Sequence, residues 1–507
     1  MRAPLPTLML AVAALALSAC EIAPTPLTLD DTRARATADR ARFFADQPPL
    51  EGPLTLHDAM ARAIRFNLDA RLRAQEQALS LRQLDLSRYD LLPGLVAGAG
   101  YVGRDRVTAS SSRSIRTQSQ SLEPSTSQDR DRLTADLNLV WNVLDFGVSY
   151  VNAQQNADRT LIAQERRRKV IHSIIQDVRA AYWRAVAAER LLGRIDPMLE
   201  RVREARRLSG EAGGQRIEGA LQQLSFQRAL VEAEQALLAQ RRELALARTE
   251  LAALINLPLD RPISVAIPDR AGALPELTLS QDLLEETALA FRPELREEHY
   301  VARISAAETR KSLLRLLPGL EFRVGHAADS NSFLVENNWT EWGARISWNL
   351  MRLFAAPAQI AASQAAEDVA ESRRIALSMA VLTQVYVSRA NFEESKRRFA
   401  AASELESLDS RILDQLRAEA RAQRAGELAV IQGELNAVRA ALQRDLAFAE
   451  VNNAFGQVFV AIGADPLQRE LETMDLSAIA RAIRDTETDW ARGQFVLPGQ
   501  PRAAQAR

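Results

Sequence analysis

The chain repeats itself. Leu54-Thr55-Leu56 opens a stretch that closes on Leu91-Leu92-Pro93-Gly94-Leu95, and Leu277-Thr278-Leu279 opens another that closes on Leu316-Leu317-Pro318-Gly319-Leu320. Each stretch leads into alternating residues, then a second short strand pattern with Trp-Asn (Trp141-Asn142, Trp348-Asn349), then a very long helical pattern. Solenoid repeats recur every ~20–50 residues. These copies stand almost half a chain apart, so the repeat is a duplicated half-molecule. What one half lacks, the other lacks too, and neither closes a sheet.

Periodicity assigns the elements. Over residues 55–91, Ala59, Ala63, Ile64, Leu68, Leu72 and Leu79 recur at three- and four-residue steps behind Thr55, which predicts one helix ended by Pro93-Gly94. Residues 95–101 are short, Gly-rich and alternating. Leu133, Ala135, Leu137, Leu139 and Trp141 alternate with Thr134, Asp136 and Asn138, the pattern of a half-buried strand. The matching strands are 320–326 and 342–350, the latter with Ala344, Ile346, Trp348 and Leu350 on one face. The serine-crowded segment 104–132 reads as a mobile polar loop.

Residues 149–209 keep one helical stripe, broken only by Pro197, and about 60 helical residues span roughly 90 Å. Gly210, Gly213 and Gly214 mark a turn, and a return helix runs to Leu257-Pro258. On it Ile217, Leu224, Val231, Leu238 and Ala245 form one heptad ladder, and Leu230, Leu237, Leu244 and Leu251 a second, one position earlier. Strict heptads suit coiled-coil packing at about 3.5 residues per turn. The second half runs out over 356–424, turns at Gly426 and returns over 427–462, with Leu428, Leu435, Leu442 and Ala449 as one ladder and Ala441, Phe448, Phe455 and Ile462 as the other. One constant offset superposes both pairs of ladders. A simple two-stranded coil needs one seam; two adjacent ladders predict helices that pack on more than one neighbour. An antiparallel hairpin with a broad apolar face is the plainer alternative.

The N-terminus sets the compartment. Arg2 precedes an apolar run from Leu8 to Leu17, too short to span a bilayer. Leu17-Ser18-Ala19-Cys20 resembles the bacterial lipoprotein cleavage box, and Cys20 is the sole cysteine. The expectation is a signal peptide over 1–19 and a diacylated, palmitate-bearing Cys20. Glu21 rather than Asp follows it, which permits outer-membrane delivery. A plain secretory signal with an incidental Cys is the alternative. Residues 20–53 read as an extended Pro-rich tether with room for one short helix. The two repeats cover 54–258 and 277–466, joined by a linker over 259–276 and followed by a polar tail over 467–507.

These parts imply a duct. No later apolar run is long enough for a transmembrane helix, so any crossing must use strands. Two hairpins are too few, because membrane barrels have at least about eight strands and each unpaired backbone group in lipid costs several kcal/mol. Three chains supply an even dozen, and a barrel of that size is not filled by its own side chains. The fold expectation is therefore mostly α with a small β part: a homotrimer with a twelve-stranded outer-membrane β-barrel continued by a twelve-helix periplasmic α-barrel.

The chain resembles the TolC-like outer-membrane efflux proteins over nearly all of 54–466. The resemblance rests on Leu54-Thr55-Leu56 with Ala59 and Asn67-Leu68, on Leu91-Leu92-Pro93 ahead of a strand, on Trp141-Asn142-Val143-Leu144-Asp145-Phe146-Gly147, and on Ala425-Gly426-Glu427-Leu428 ahead of Ile431. It implies a passive channel that catalyses nothing, docked to a periplasmic adaptor and an inner-membrane pump driven by protons or ATP. It implies adaptor contacts at the helical tips, where Gly213, Gly214, Ala425 and Gly426 stand, and a constriction near Gln432 and Glu434. Two departures stand out: Phe354-Ala355 replaces an aromatic-Gly pair at the strand-to-helix corner, and no aspartate stands at the constriction. Glu434 then either supplies a ring of carboxylates or is a solvated helix residue.

Other chemistry is excluded or bland. Charge is balanced, 64 basic against 65 acidic residues, and the run Arg166-Arg167-Arg168-Lys169 lacks interleaved aromatics, so nucleic acid is not a partner and the run reads as a solvated face. Four scattered histidines (His57, His172, His299, His326) show no ligand spacing, and neither a metal nor a cofactor is expected. Tyr101, Trp141, Trp339 and Trp342 flank strand ends and suit a membrane-interface girdle, Trp339 and Trp342 best of all, with a core role as the alternative. A reading from another class remains: a lipid-anchored periplasmic coiled-coil adaptor or scaffold. That would carry a lipoyl-like β-domain and lack duplicated strand pairs.

Overall fold

The computed structural model describes residues 24–45, 47–212, 220–260, 263–267, 274–424, 426–467, 475–492 and 494–495. Cys20, Gly213, Gly214 and Ala425 lie outside them. In chain order the elements are α1 (Leu29–Phe43), α2 (Leu56–Phe66), α3 (Leu68–Tyr89), β1 (Gly94–Gly103), β2 (Asp131–Asn142), α4 (Val143–Ala212), α5 (Ala220–Leu254), α6 (Gln281–Phe291), α7 (Pro293–Leu314), β3 (Gly319–Asp329), β4 (Asn338–Ser347), α8 (Met351–Arg421), α9 (Glu427–Ala461) and α10 (Leu476–Ala491). Lengths repeat between the halves. The helices ahead of the strands have 11 and 22 residues in both. The outgoing helices α4 and α8 have 70 and 71, and the return helices α5 and α9 have 35 each. At about 1.5 Å per residue, α4 and α8 each reach about 105 Å.

The single helix expected over 55–91 is two. Asn67 leaves helical backbone at ψ 133, and its side-chain oxygen accepts from the amides of Asp69 and Ala70. Its Nδ2 donates to the Leu254 carbonyl at 2.9 Å. One asparagine thus ends α2, caps α3 and ties both to the end of α5. In the second half Pro293 opens α7 at its first turn, where its missing amide costs no hydrogen bond. The supposed tether also holds a 15-residue helix, α1, started by a Thr28–Asp31 capping box and without a buried residue.

All four strands form one antiparallel sheet in the order β1-β2-β3-β4. The halves meet at the β2–β3 pairing, from Thr134 opposite Asp329 to Asn142 opposite Glu321. The fourth strand ends at Ser347 and does not reach Leu350 as its alternation suggested. Trp348 instead donates its indole N–H to the Leu316 carbonyl at 2.9 Å, and Leu350 is the N-cap residue ahead of α8.

Three apolar clusters run down the helices. One packs Met60 and Ala63 of α2 on Val178 and Tyr182 of α4 and on Ile479 and Ile483 of α10. The second packs Leu191 and Ile195 of α4 against Leu230 and Leu237 of α5 and Leu435 and Leu442 of α9. The third joins α6, α8 and α9 around Phe392, Phe455 and Phe459, with Trp490 of α10 stacked on Phe459 at 4.2 Å. Both return helices end on a left-handed residue, Asn256 (φ 55) and Gly463 (φ 73). At Gly463 a Cβ would lie 2.6 Å from the Phe291 carbonyl oxygen, so glycine is required there. At the α8–α9 tip it is not required: Gly426 sits at φ −80, and Gln423 takes the left-handed turn at φ 57.

Candidate functional site

The pairing register sorts every strand residue onto one of two faces. Leu95, Ala97, Ala99 and Tyr101 share a face with Leu133, Leu137, Leu139 and Trp141. The same face continues through Phe322, Val324 and His326, then Ile346, Ala344, Trp342 and Thr340. This apolar face is almost wholly exposed within one chain. The opposite face carries Thr134, Asp136, Asn138, Arg323, Glu341 and Arg345. Its side chains bond to one another: Arg323 donates to Asn138 Oδ1 at 2.8 Å and stands 3.5 Å from Glu341. Strand glycines make room for them, since a Cβ on Gly98 would come within 2.6 Å of Asp136 Oδ1.

The same register splits the four girdle candidates. Tyr101 lies at the loop end of the apolar face, and Trp141 at its helix end beside Phe146 and Phe322, at 6.0 and 6.4 Å. Trp342 lies midway, opposite Val324. Trp339 is opposite Ala327 on the polar face, because residues three apart on a strand project to opposite sides.

The helical ladders divide as sharply. Leu230, Leu237, Leu244 and Leu251 of α5 are fully buried within the chain. The other ladder is not. Leu224 and Leu238 of α5 are 62% and 40% exposed, while their counterparts Leu435 and Ala449 on α9 are 7% and 4% exposed. The reason is which helix has a second neighbour: α9 packs on both α8 and α4, whereas α5 packs chiefly on α4. The long helix α8 likewise leaves Val369, Ile375, Met379, Val387 and Ile412 exposed.

Near the α8–α9 tip, Glu434 faces neither water nor an open lumen within the chain. Its carboxylate receives Arg201 of α4 at 2.6 Å and Arg417 of α8 at 3.0 Å, and its side chain is 12% exposed. It joins three helices beside a groove of about 500 Å³ that Pro197, inside the continuous helix α4, helps to line. Gln432 is exposed.

At the level of α2 and α10 the structure departs from the sequence reading. The basic run is a solvated face only in part: Arg166 and Lys169 are more than half exposed, Arg168 is not, and all four have partners. Arg166 holds Glu297 at 2.8 Å, Arg167 bonds Gln77 at 3.2 Å, Arg168 holds Asp465 and Glu165, and Lys169 approaches Glu294 at 3.6 Å. Two of the four histidines also join carboxylates: His172 contacts Asp465 at 2.7 Å and His57 contacts Glu487 at 3.3 Å. Arg179 pairs with Glu487 from the other side. Burial alone would raise the Glu487 carboxyl, but Arg179 and His57 outweigh it and hold it at about 2. Among the described residues, no cluster of three or more His, Cys, Asp or Glu could hold a metal ion, and no helix is long and apolar enough to cross a membrane.

The chain thus presents a one-layer sheet with one apolar face, one polar face and two edges unpaired within the chain, standing on helices of ~100 Å. No protein-family model matches the chain, and no curated protein is similar to it in sequence. Solved structures are. The CmeC outer membrane channel of Campylobacter jejuni matches with a TM-score of 0.66 at 13% identity, over 87% of this chain and 94% of that one. The open state of the MtrE outer membrane channel of Neisseria gonorrhoeae matches with a TM-score of 0.64 at 17% identity, over 81% and 89%. CusC, described in terms of folding and transmembrane channel formation, matches with a TM-score of 0.61 at 16% identity, over 83% and 96%. The chain thus has the TolC-like outer-membrane channel fold.

Proposed function

We propose that three copies of this chain close one barrel and tunnel, anchored through an acylated Cys20 in the outer membrane, and serve as the exit duct of a tripartite efflux or secretion system. Substrate would come from an inner-membrane pump through a periplasmic adaptor, and the duct itself would do no chemistry. One observation carries the reading: the α9 ladder is covered by α4 of its own chain, while the equivalent α5 ladder is bare. Rotating the duplicated unit around a common axis lays that bare face on α8 of the next chain. The third copy closes the ring, as heterologous contacts do when the rotation closes.

The strands support it. They have 10 to 12 residues, against about 9–11 for a tilted membrane-crossing strand. The free edges of β1 and β4 would pair between neighbours, leaving no unsatisfied backbone in lipid. The polar face then lines a water-filled lumen, and the loop over 104–130 lies at the end remote from the helices. At the periplasmic end, the exposed Gln432 is the better lining candidate, since Glu434 is neutralised inside the chain. The experiment is mass measurement of the mature protein in detergent, coupled to single-channel recording in planar bilayers. A trimer that conducts ions supports the duct. A lone chain that leaves bilayers silent refutes it and returns the scaffold alternative.

A further inference from the structure

The polar face of the sheet holds one carboxylate that no cation on that face answers. Its strand residues include Arg132, Arg323 and Arg345 against Asp136, Glu321, Asp329 and Glu341. Arg132 stands 3.6 Å from Asp329, Arg323 stands 3.5 Å from Glu341, and Arg345 is the residue opposite Glu321. Asp136 is left over. The residues opposite it are Gly98 and Ala327. Among the described residues it has no ion pair, only the Asn138 amide donating to its Oδ2. Arg323 donates to Asn138 Oδ1 instead. The same cross-strand row ends in Trp339, opposite Ala327, and Trp339 is the one aromatic among the strand residues of this face. Neighbouring strands lie about 4.8 Å apart, so the backbones under Asp136 and Trp339 are about 10 Å apart, with only the methyl group of Ala327 between them. The carboxylate leans toward Gly98, away from Ala327, and Trp339 is 40% exposed.

We infer that this row is a transient binding site for organic monocations with an aromatic or alkyl body. The inference rests on the duct reading, in which the polar face lines the lumen, and it names a cargo class for that duct. A cationic head above Ala327 lies within about 6 Å of the indole and beside the Asp136 carboxylate, so ring and charge attract it from opposite sides. The body of the ligand covers the indole face and removes apolar surface from water. A small hydrated cation gains from the carboxylate alone. An anion meets the negative ring face and the carboxylate together. Three copies place three such rows in one lumen. An exposed cation–π contact is worth only about 0.5–1 kcal/mol, roughly 2- to 5-fold in affinity. A conducting path needs that weakness, since a site that captures must also release.

The test is single-channel recording of the full mature protein in planar bilayers in potassium chloride, with benzyltrimethylammonium and with benzenesulfonate as its anionic counterpart. The cation should reduce the current saturably, and the anion should not. Trp339→Leu should weaken the cation block roughly 2- to 5-fold and leave the reversal potential in a salt gradient unchanged. Asp136→Asn should weaken the block by a similar factor, roughly 2- to 5-fold, and lower the preference for potassium over chloride. A conducting channel that benzyltrimethylammonium does not block, or blocks equally with and without the Trp339 indole, overturns the inference and leaves the duct standing. Equal action of the two ions on the unaltered channel overturns it even where a variant fails to assemble. Bilayers that stay silent remove the duct and this inference with it.

Discussion

Replacing Leu238 with aspartate puts the bare ladder to its hardest test. Leu238 is 40% exposed in one chain, so its neighbour in a closed ring would cover the remainder. Full burial of a leucine is worth about 1.5–3 kcal/mol, which makes the share still to be gained about 1 kcal/mol. An aspartate there also carries an unpaired charge into the contact, at a cost of about 3 kcal/mol or more. The change therefore removes about 4 kcal/mol per interface, and three interfaces lose about 12 kcal/mol, on the order of a 10⁸-fold fall in the assembly constant. The isolated chain should be nearly indifferent, because the site is open to water until a neighbour arrives. Ala239→Asp, one position further round the helix and exposed, is the matched control, since it adds the same charge off the ladder. Mass photometry in detergent should find trimers for the unaltered protein and for Ala239→Asp, and single chains of unchanged helicity for Leu238→Asp. Intact trimers from Leu238→Asp would show that the second ladder is mere solvent-facing surface, and the ring argument would fail with it.

Other outcomes follow from the charged sites. Glu434→Gln should leave cation selectivity of the open channel unchanged and cost only about 1 kcal/mol of stability, because its two arginine partners are half-exposed and rehydrate when released. A shifted reversal potential in a salt gradient would instead place that carboxylate on the ion path. Glu487 has its carboxyl lowered from the ordinary 4.5 to about 2. Its stabilising contribution is therefore complete above pH 4.5 and fades as pH falls toward 2. Melting temperatures recorded from about pH 5 down to about 2.5 should fall more steeply for the native protein than for Glu487→Gln, and parallel curves would contradict that coupling. Gly456→Ala would drive a Cβ into the Arg179 guanidinium, which Glu487 and Gln176 hold in place. Breaking that buried pair should cost about 3–5 kcal/mol, read as a lowered denaturation midpoint; an unchanged midpoint would mean that Arg179 has room to move.

Heptads, alternation and the repeated Leu-Pro-Gly junctions mark the long helices and strands because each rests on local periodicity. The errors arose where a single side chain overrides its neighbours. Asn67 interrupts an apolar stripe that continues on both sides of it, and its capping role is visible only once Leu254 is seen beside it. Trp339 and Trp342 were within reach of the strand period, since an odd spacing must separate their faces. Glu434 could not be assigned from sequence, because its partners stand on two other helices. The basic run from Arg166 to Lys169 is the most instructive. Consecutive helical residues point about 100° apart, so four of them sweep nearly the whole circumference. A run of cations on a helix with one wet face would leave some of them bound only to water. All four find partners, on α3, on α7 and beyond α9. The run therefore reaches partners on several sides of α4, although the Arg166 and Lys169 side chains stay more than half exposed.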